Sequence, residues 1–151
     1  MIQRKQTLFL LIAIILTAFC FSSPLASFEP KGMGMSTELW VFGTMTPDSG
    51  VQFNRITLFI LLAIAEVVEI ATIFLYRNRM QQAKLCVLGI VLYILWYAYY
   101  VYCAIMGVGD AFIFHINFAA CLPLCSIIAL VLARHGIIKD EELVRAADRI
   151  R

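Results

Sequence analysis

Four stretches of this 151-residue chain are continuously apolar or nearly so: Thr7 to Phe28, Ile56 to Tyr76, Leu85 to Met106 and Ala111 to Ala133. Each reaches or passes the ~20 residues that an α-helix needs to cross a ~30 Å hydrocarbon core. The pattern predicts an all-α membrane protein with four transmembrane helices arranged as two antiparallel hairpins. Residues 1–135 would form the membrane domain, with an outer loop at 29–55, and residues 136–151 a short cytoplasmic tail helix.

The polar segments between the runs refine this picture. The outer loop carries Gly32, Gly34, Gly43, Gly50, Pro30, Pro47 and Asp48, turn formers that predict a mostly irregular path. Within it, Leu39-Trp40-Val41-Phe42 is aromatic enough to dip into the head-group region. The short polar turn from Arg77 to Lys84 joins the second and third helices, and Gly107-Val108-Gly109-Asp110 joins the third and fourth. Gly136 is expected to end the fourth helix and Asp140 to cap a new one. On that tail helix Leu143, Val144, Ala147 and Ile150 share one face, and Glu141 and Arg145 form an i,i+4 pair. The tail's net charge is near zero, which suits anionic lipid poorly. Its apolar face needs a cover, either the bundle's own inner end or another protein.

Charge orients the chain. Of its twelve Lys and Arg residues, ten lie before the first run, between the second and third, or after the fourth. Only Lys31 and Arg55 remain for the opposite side. Cationic short loops stay in the cytoplasm, so both termini are expected inside a bacterial inner membrane. The opening Gln3-Arg4-Lys5 with its apolar run also resembles a signal peptide, and Pro24-Leu25-Ala26-Ser27 supplies small residues for cleavage. An uncleaved helix is the preferred reading. At 62% hydrophobic residues and a mean hydropathy of +0.88, the chain falls outside the range of soluble domains. No basic face suits nucleic acid. The five cysteines all lie in or at the ends of the apolar runs, where they are expected to pack as small apolar residues.

Glu66 and Glu69 are the charged residues inside the runs, one turn apart on one face of the second helix. Two central carboxylates cost roughly 5–7 kcal/mol on the insertion scale, and thirteen Ile, Leu, Phe and Val residues in the same run return roughly 4–8 kcal/mol. The helix is therefore expected to turn both carboxyls toward protein or water. Burial and repulsion favour a proton on at least one of them. Such a pair can mark a proton or cation path, or act as hydrogen-bonded glue between helices. Tyr93, Tyr97 and Tyr100 share a face of the third helix and could reach the pair, although such clusters more often form an aromatic belt. His115 is placed near the outer end of the fourth helix. It is twenty residues from His135, ~30 Å along a helix, so the two cannot share a haem. Cys121 and Cys125 flank Pro123 at a spacing that could hold a soft metal, or could simply pack around a kink. No metal or other cofactor is expected, because no zinc spacing, nucleophile elbow or nucleotide loop is present.

Three segments carry a family resemblance. They are the opening Met1-Ile2-Gln3-Arg4-Lys5-Gln6-Thr7-Leu8, the middle segment Phe74-Leu75-Tyr76-Arg77-Asn78-Arg79, and the charged ending from Gly136 to Arg151. Together they resemble a family of small inner-membrane proteins of Bacteroidota known as a domain of unknown function. The resemblance spans the chain and implies four helices in a bacterial cytoplasmic membrane, with no catalytic residues. The expectation from sequence is a non-enzymatic accessory or assembly subunit with a membrane-protein partner or a second copy of itself. The competing expectation is a small proton- or cation-linked transport or channel component using Glu66 and Glu69.

Overall fold

A computed structural model describes residues 3–32, 34–48, 50–53, 55–75, 78–107 and 112–149. The described elements are α1 (Gln3–Phe21), β1 (Ala26–Pro30), β2 (Thr37–Trp40), β3 (Gly43–Thr46), β4 (Gly50–Gln52), α2 (Ile56–Phe74), α3 (Arg79–Gly107), β5 (Phe112–Ile116), a 3₁₀ turn (Phe118–Cys121) and α4 (Leu122–Arg149). The fold is mixed rather than all-α. A five-stranded antiparallel sheet, in the order β4-β3-β2-β1-β5, closes one end of the helices.

The helices pack as a ring, α1 on α2, α2 on α3, α3 on α4 and α4 on α1. Each neighbouring pair for which side-chain contacts fix the direction is antiparallel. Gln82 Nε2 donates to the Thr72 carbonyl and Trp96 Nε1 to the Leu58 carbonyl, which sets α2 against α3. Arg79 meets the Asp140 carbonyl at one end of α3 and α4, and Tyr97 meets the Ala120 carbonyl at the other. Outward faces are apolar, with Phe59, Ile60, Ile64 and Val67 exposed on α2, and Leu11, Ile15 and Phe19 on α1. Faces of that kind belong against lipid or protein.

Three helical segments are long and apolar enough to cross a membrane: Ile56–Phe74, Arg79–Met106 and Phe118–Ala146. The expected span from Thr7 to Phe28 is corrected. Its apolar helix covers Gln6–Phe21, shorter than the other three. Ser22 and Ser23 lead out of the helix to Pro24, whose effect on the preceding residue ends it. From Ala26 the chain is a strand, with Ala26 and Phe28 turned into the core and Glu29 exposed.

The fourth run is corrected in the same way. Its first residues, Phe112 to Ile116, form β5 and pair along their whole length with β1, from Ala26 opposite Ile116 to Pro30 opposite Phe112. Aromatic and β-branched residues favour a pleated, half-buried surface, and hydropathy alone cannot tell that surface from a helix. Pro123 is the second residue of α4, a position where its missing N–H costs nothing, so it starts a helix instead of kinking one.

Order also replaces the irregular path expected for the segment 29–55, among its described residues. Leu39 is buried on β2 and Val41 in the β2–β3 turn, and both pack with Phe28 in the same core cluster as Tyr100 and Cys103. Gly43 is required by close approach: a Cβ there would lie 2.0 Å from the Gln52 carbonyl oxygen. Gly50, at φ +70°, takes the left-handed conformation where β4 begins, opposite Thr46 of β3. Arg55 ties this layer to the helices through a hydrogen bond to the Cys103 carbonyl near the end of α3.

At the opposite end, α4 runs unbroken from Leu122 to Arg149, so there is no separate tail helix. Gly136 does not terminate it. It provides room for Gln6, whose Cγ would lie 3.1 Å from an added Cβ. Asp140 caps nothing; it is buried in mid-helix, where its carboxylate accepts a hydrogen bond from Gln6. Ile137 is fully buried, so the stretch to Asp140 belongs to the helical core.

Candidate functional site

Polar side chains meet in the interior where the four helices face one another. Glu69, on α2, is 1% exposed. Tyr93 on α3 donates from its hydroxyl to Glu69 Oε1 at 2.9 Å. The same hydroxyl lies 2.6 Å from Thr17 Oγ1 on α1, which in turn lies 3.2 Å from Ser126 Oγ on α4. One residue from each helix thus joins a single hydrogen-bonded chain. Thr17 and Ser126 both donate to the Ala13 carbonyl, at 3.0 and 3.2 Å, and Ser126 also reaches its own-helix Leu122 carbonyl at 3.3 Å.

Hydrogen counting shows what this chain can do. Each hydroxyl owns one proton. When Tyr93 gives its proton to an ionised Glu69, Thr17 must choose between the tyrosine oxygen and Ala13. A protonated Glu69 would instead donate to Tyr93, Tyr93 to Thr17 and Thr17 to Ala13, using every proton once. The chain can therefore run in two internal directions, and the reversed one requires a proton on Glu69 Oε1.

Glu66 lies one turn away and is only half-buried. Its Oε2 and that of Glu69 are buried with no hydrogen-bond partner among the described residues. Buried polar atoms are nearly always paired, so two orphans side by side mark this spot as unusual.

Tyr97 and Tyr100 do not reach the carboxyls. Tyr97 donates to the Ala120 carbonyl at 2.6 Å and Tyr100 to the Leu25 carbonyl at 3.3 Å. Both serve the segment where helix gives way to sheet, whose backbone acceptors lack helical partners. Trp96 fills the space between them, stacked on Tyr100 with ring centroids 5.5 Å apart and edge-on to Tyr97 at 5.1 Å. His115 is on β5 and not on α4. Its Nε2 is 3.6 Å from Glu29 Oε2, with both side chains more than half exposed, so it lies outside the interior cluster. Cys121 and Cys125 are exposed at the start of α4. Among the described residues no three His, Cys, Asp or Glu side chains converge as a metal site would require.

Over residues 2–150 the sequence matches the family described as Domain of unknown function (DUF4293). The chain belongs to this family. No curated protein matches it.

For this DUF4293 chain, Glu69 and Tyr93 stand out in the sequence and their partners do not. A carboxylate in an apolar run demands explanation. A lone threonine or serine does not, since either can bond its own helix at i−4, as Thr17 and Ser126 also do here. The available signal was positional: Ser126 is the one hydroxyl in the stretch Phe118–Ala146.

The tail residues divide. Leu143 and Val144 are exposed on α4, 53% and 44% respectively, and the helix ring does not cover them. The side chain of Ala147 and the whole of Ile150 lie outside the described residues.

Proposed function

We propose that this protein is a non-enzymatic accessory subunit of a membrane assembly, built to hold a partner rather than to transform a substrate. The carrying observation is the apolar pair Leu143 and Val144, uncovered on a helix that continues without a break beyond the helical core. An apolar patch on a polar-flanked helix is the form of a helix-in-groove contact. The edge strand β5, with Ile113 and Ile116 exposed and Phe118 exposed in the 3₁₀ turn that follows, offers a second surface at the other end. Photo-crosslinking from position 143 or 144 in cells should give a discrete adduct, and crosslinking from the exposed His135 should not. Equal labelling from all three positions would contradict the proposal.

The orientation follows from the charges: the sheet outside, and the α2–α3 turn and the end of α4 in the cytoplasm. Cysteines placed at Lys31 and Asp48 should react with an impermeant reagent in intact cells, and one at Arg145 only after lysis. The reverse pattern would overturn this orientation.

A proton-linked role is the second reading, favoured by the orphan oxygens of Glu66 and Glu69. Glu69→Gln keeps hydrogen bonding and removes the exchangeable charge. Proteoliposomes with Glu69→Gln should then lose proton flux driven by an imposed pH gradient. Flux that is absent from the wild type, or equal in both, removes this reading.

A further inference from the structure

At the inner end of α3 and α4 lies a cleft of about 380 Å³, away from the interior cluster. On α3 its wall is formed by Met80, Lys84 and Val87, at i, i+4 and i+7. On α4 Arg134, Ile138, Glu141 and Arg145 repeat the same spacing. The helices are antiparallel here, with Arg79 against Asp140 and Gly89 against Leu130. Lys84, midway between those contacts, therefore stands level with Arg134.

The two cations differ from Arg145, whose Nε is already paired with Glu141 at 3.1 Å. Neither Lys84 nor Arg134 makes an ion pair among the described residues, and both are exposed. Glu142, the remaining acid of the cleft, lies two turns beyond Arg134, ~12 Å along the helix and farther from the apolar spans. In the other direction, toward Gly89 and Leu130, exposed apolar residues follow on both helices, Val87 and Val91 on α3 and Ile128 and Val131 on α4. Two cations with no ion pair among the described residues thus stand together in the cleft, beside exposed apolar surface of α3 and α4.

We propose that this cleft is a binding site for one phospholipid of the inner leaflet, its phosphate held between Lys84 and Arg134 and an acyl chain laid against Met80, Val87 and Ile138 and the exposed apolar residues that follow. Basic pockets between helices at the cytoplasmic interface suit lipid phosphate. The apolar lining of the cleft, Met80, Ala83, Val87 and Ile138, is what a soluble phosphate compound would leave unused. The site uses a different face of α4 from Leu143 and Val144 and does not depend on the accessory-subunit reading.

The test is lipid titration of the delipidated full chain in mild detergent, followed by native mass spectrometry with dioleoyl phosphatidylglycerol as the probe. One lipid should bind per chain. Lys84→Ala with Arg134→Ala should weaken it at least tenfold, while Lys84→Arg stays within twofold. sn-Glycerol 3-phosphate at the same concentration should not displace the lipid. If the double variant is not recovered, Lys84→Gln alone, at an exposed position, should weaken binding at least threefold. Three outcomes would overturn the proposal. The lipid could bind the available variant as well as the wild type, be displaced by glycerol phosphate at equal affinity, or be lost on Leu143→Ser instead.

Discussion

Trp96→Ala should destabilise the protein by about 3–5 kcal/mol, the range for removing a large aromatic from a packed interior. Trp96 is fully buried, stacked on Tyr100, edge-on to Tyr97, and donates from Nε1 to the Leu58 carbonyl at 3.1 Å. Its loss opens a cavity between α2 and α3 and frees the two tyrosines that anchor the helix-to-sheet transition. Transfer from water contributes little inside a bilayer, so the expected effect comes from lost packing and from the unsatisfied carbonyl. Trp96→Phe should recover most of the packing and leave only the hydrogen-bond loss, about 1 kcal/mol. Unfolding in mixed micelles, followed by tyrosine and tryptophan fluorescence, measures both. A Trp96→Ala variant as stable as the wild type would mean that this aromatic set is lining and not core.

The second large effect is expected at the centre of the helix ring. Tyr93→Phe removes the hydroxyl that connects Glu69 to Thr17 and adds another unpaired oxygen to a carboxyl that already has one. A buried group left without its partner costs about 1–3 kcal/mol, and interhelical hydrogen bonds in membranes cluster at the low end of that scale. The expected loss is about 1–2 kcal/mol. Replacing both ends at once should behave differently. In Tyr93→Phe with Glu69→Leu no polar group is stranded on that contact, so the double variant should lose less than the sum of the two single losses. Additive losses in this cycle would show that Glu69 and Tyr93 are neighbours without energetic coupling, and would remove the case for glue.

The sequence exposes what is costly and hides what is cheap. Glu69 was visible because an acid in an apolar run must be accommodated, and Tyr93 only as one of three tyrosines, with Tyr97 and Tyr100, on a face of the third helix. Thr17 was invisible because its bond to Ala13 satisfies it within its own helix, and its approach to Tyr93 depends on how α1 faces α3 across the helix ring. The sheet was hidden for a related reason. Hydropathy records where side chains prefer to be, not how the backbone pairs. Phe112-Ile113-Phe114-His115-Ile116 reads as the start of a span until its partner, more than eighty residues earlier, is known. The alternation of aromatic and β-branched residues, bounded by a Gly-rich turn before it and Asn117 after it, was the available strand signal. Gly136 misled in the opposite direction. A glycine near the end of an apolar helix suggests a stop, but here the absent side chain makes room for Gln6 and the helix continues.

That continuation decides how the accessory role can be tested. Cutting the chain after Gly136 would remove Ile137 and Asp140, which are buried, and would damage the core along with the surface. Leu143→Ser with Val144→Ser instead changes only exposed side chains. The decisive measurement is quantitative comparison of the proteins that co-purify with the tagged wild type and with this double variant in mild detergent, with thermal unfolding of both in parallel. The account predicts an unchanged midpoint and loss of a stoichiometric partner that the position-143 crosslink also identifies. Retention of every partner at wild-type levels, or a clearly lowered midpoint showing that these residues pack on their own bundle, would contradict it.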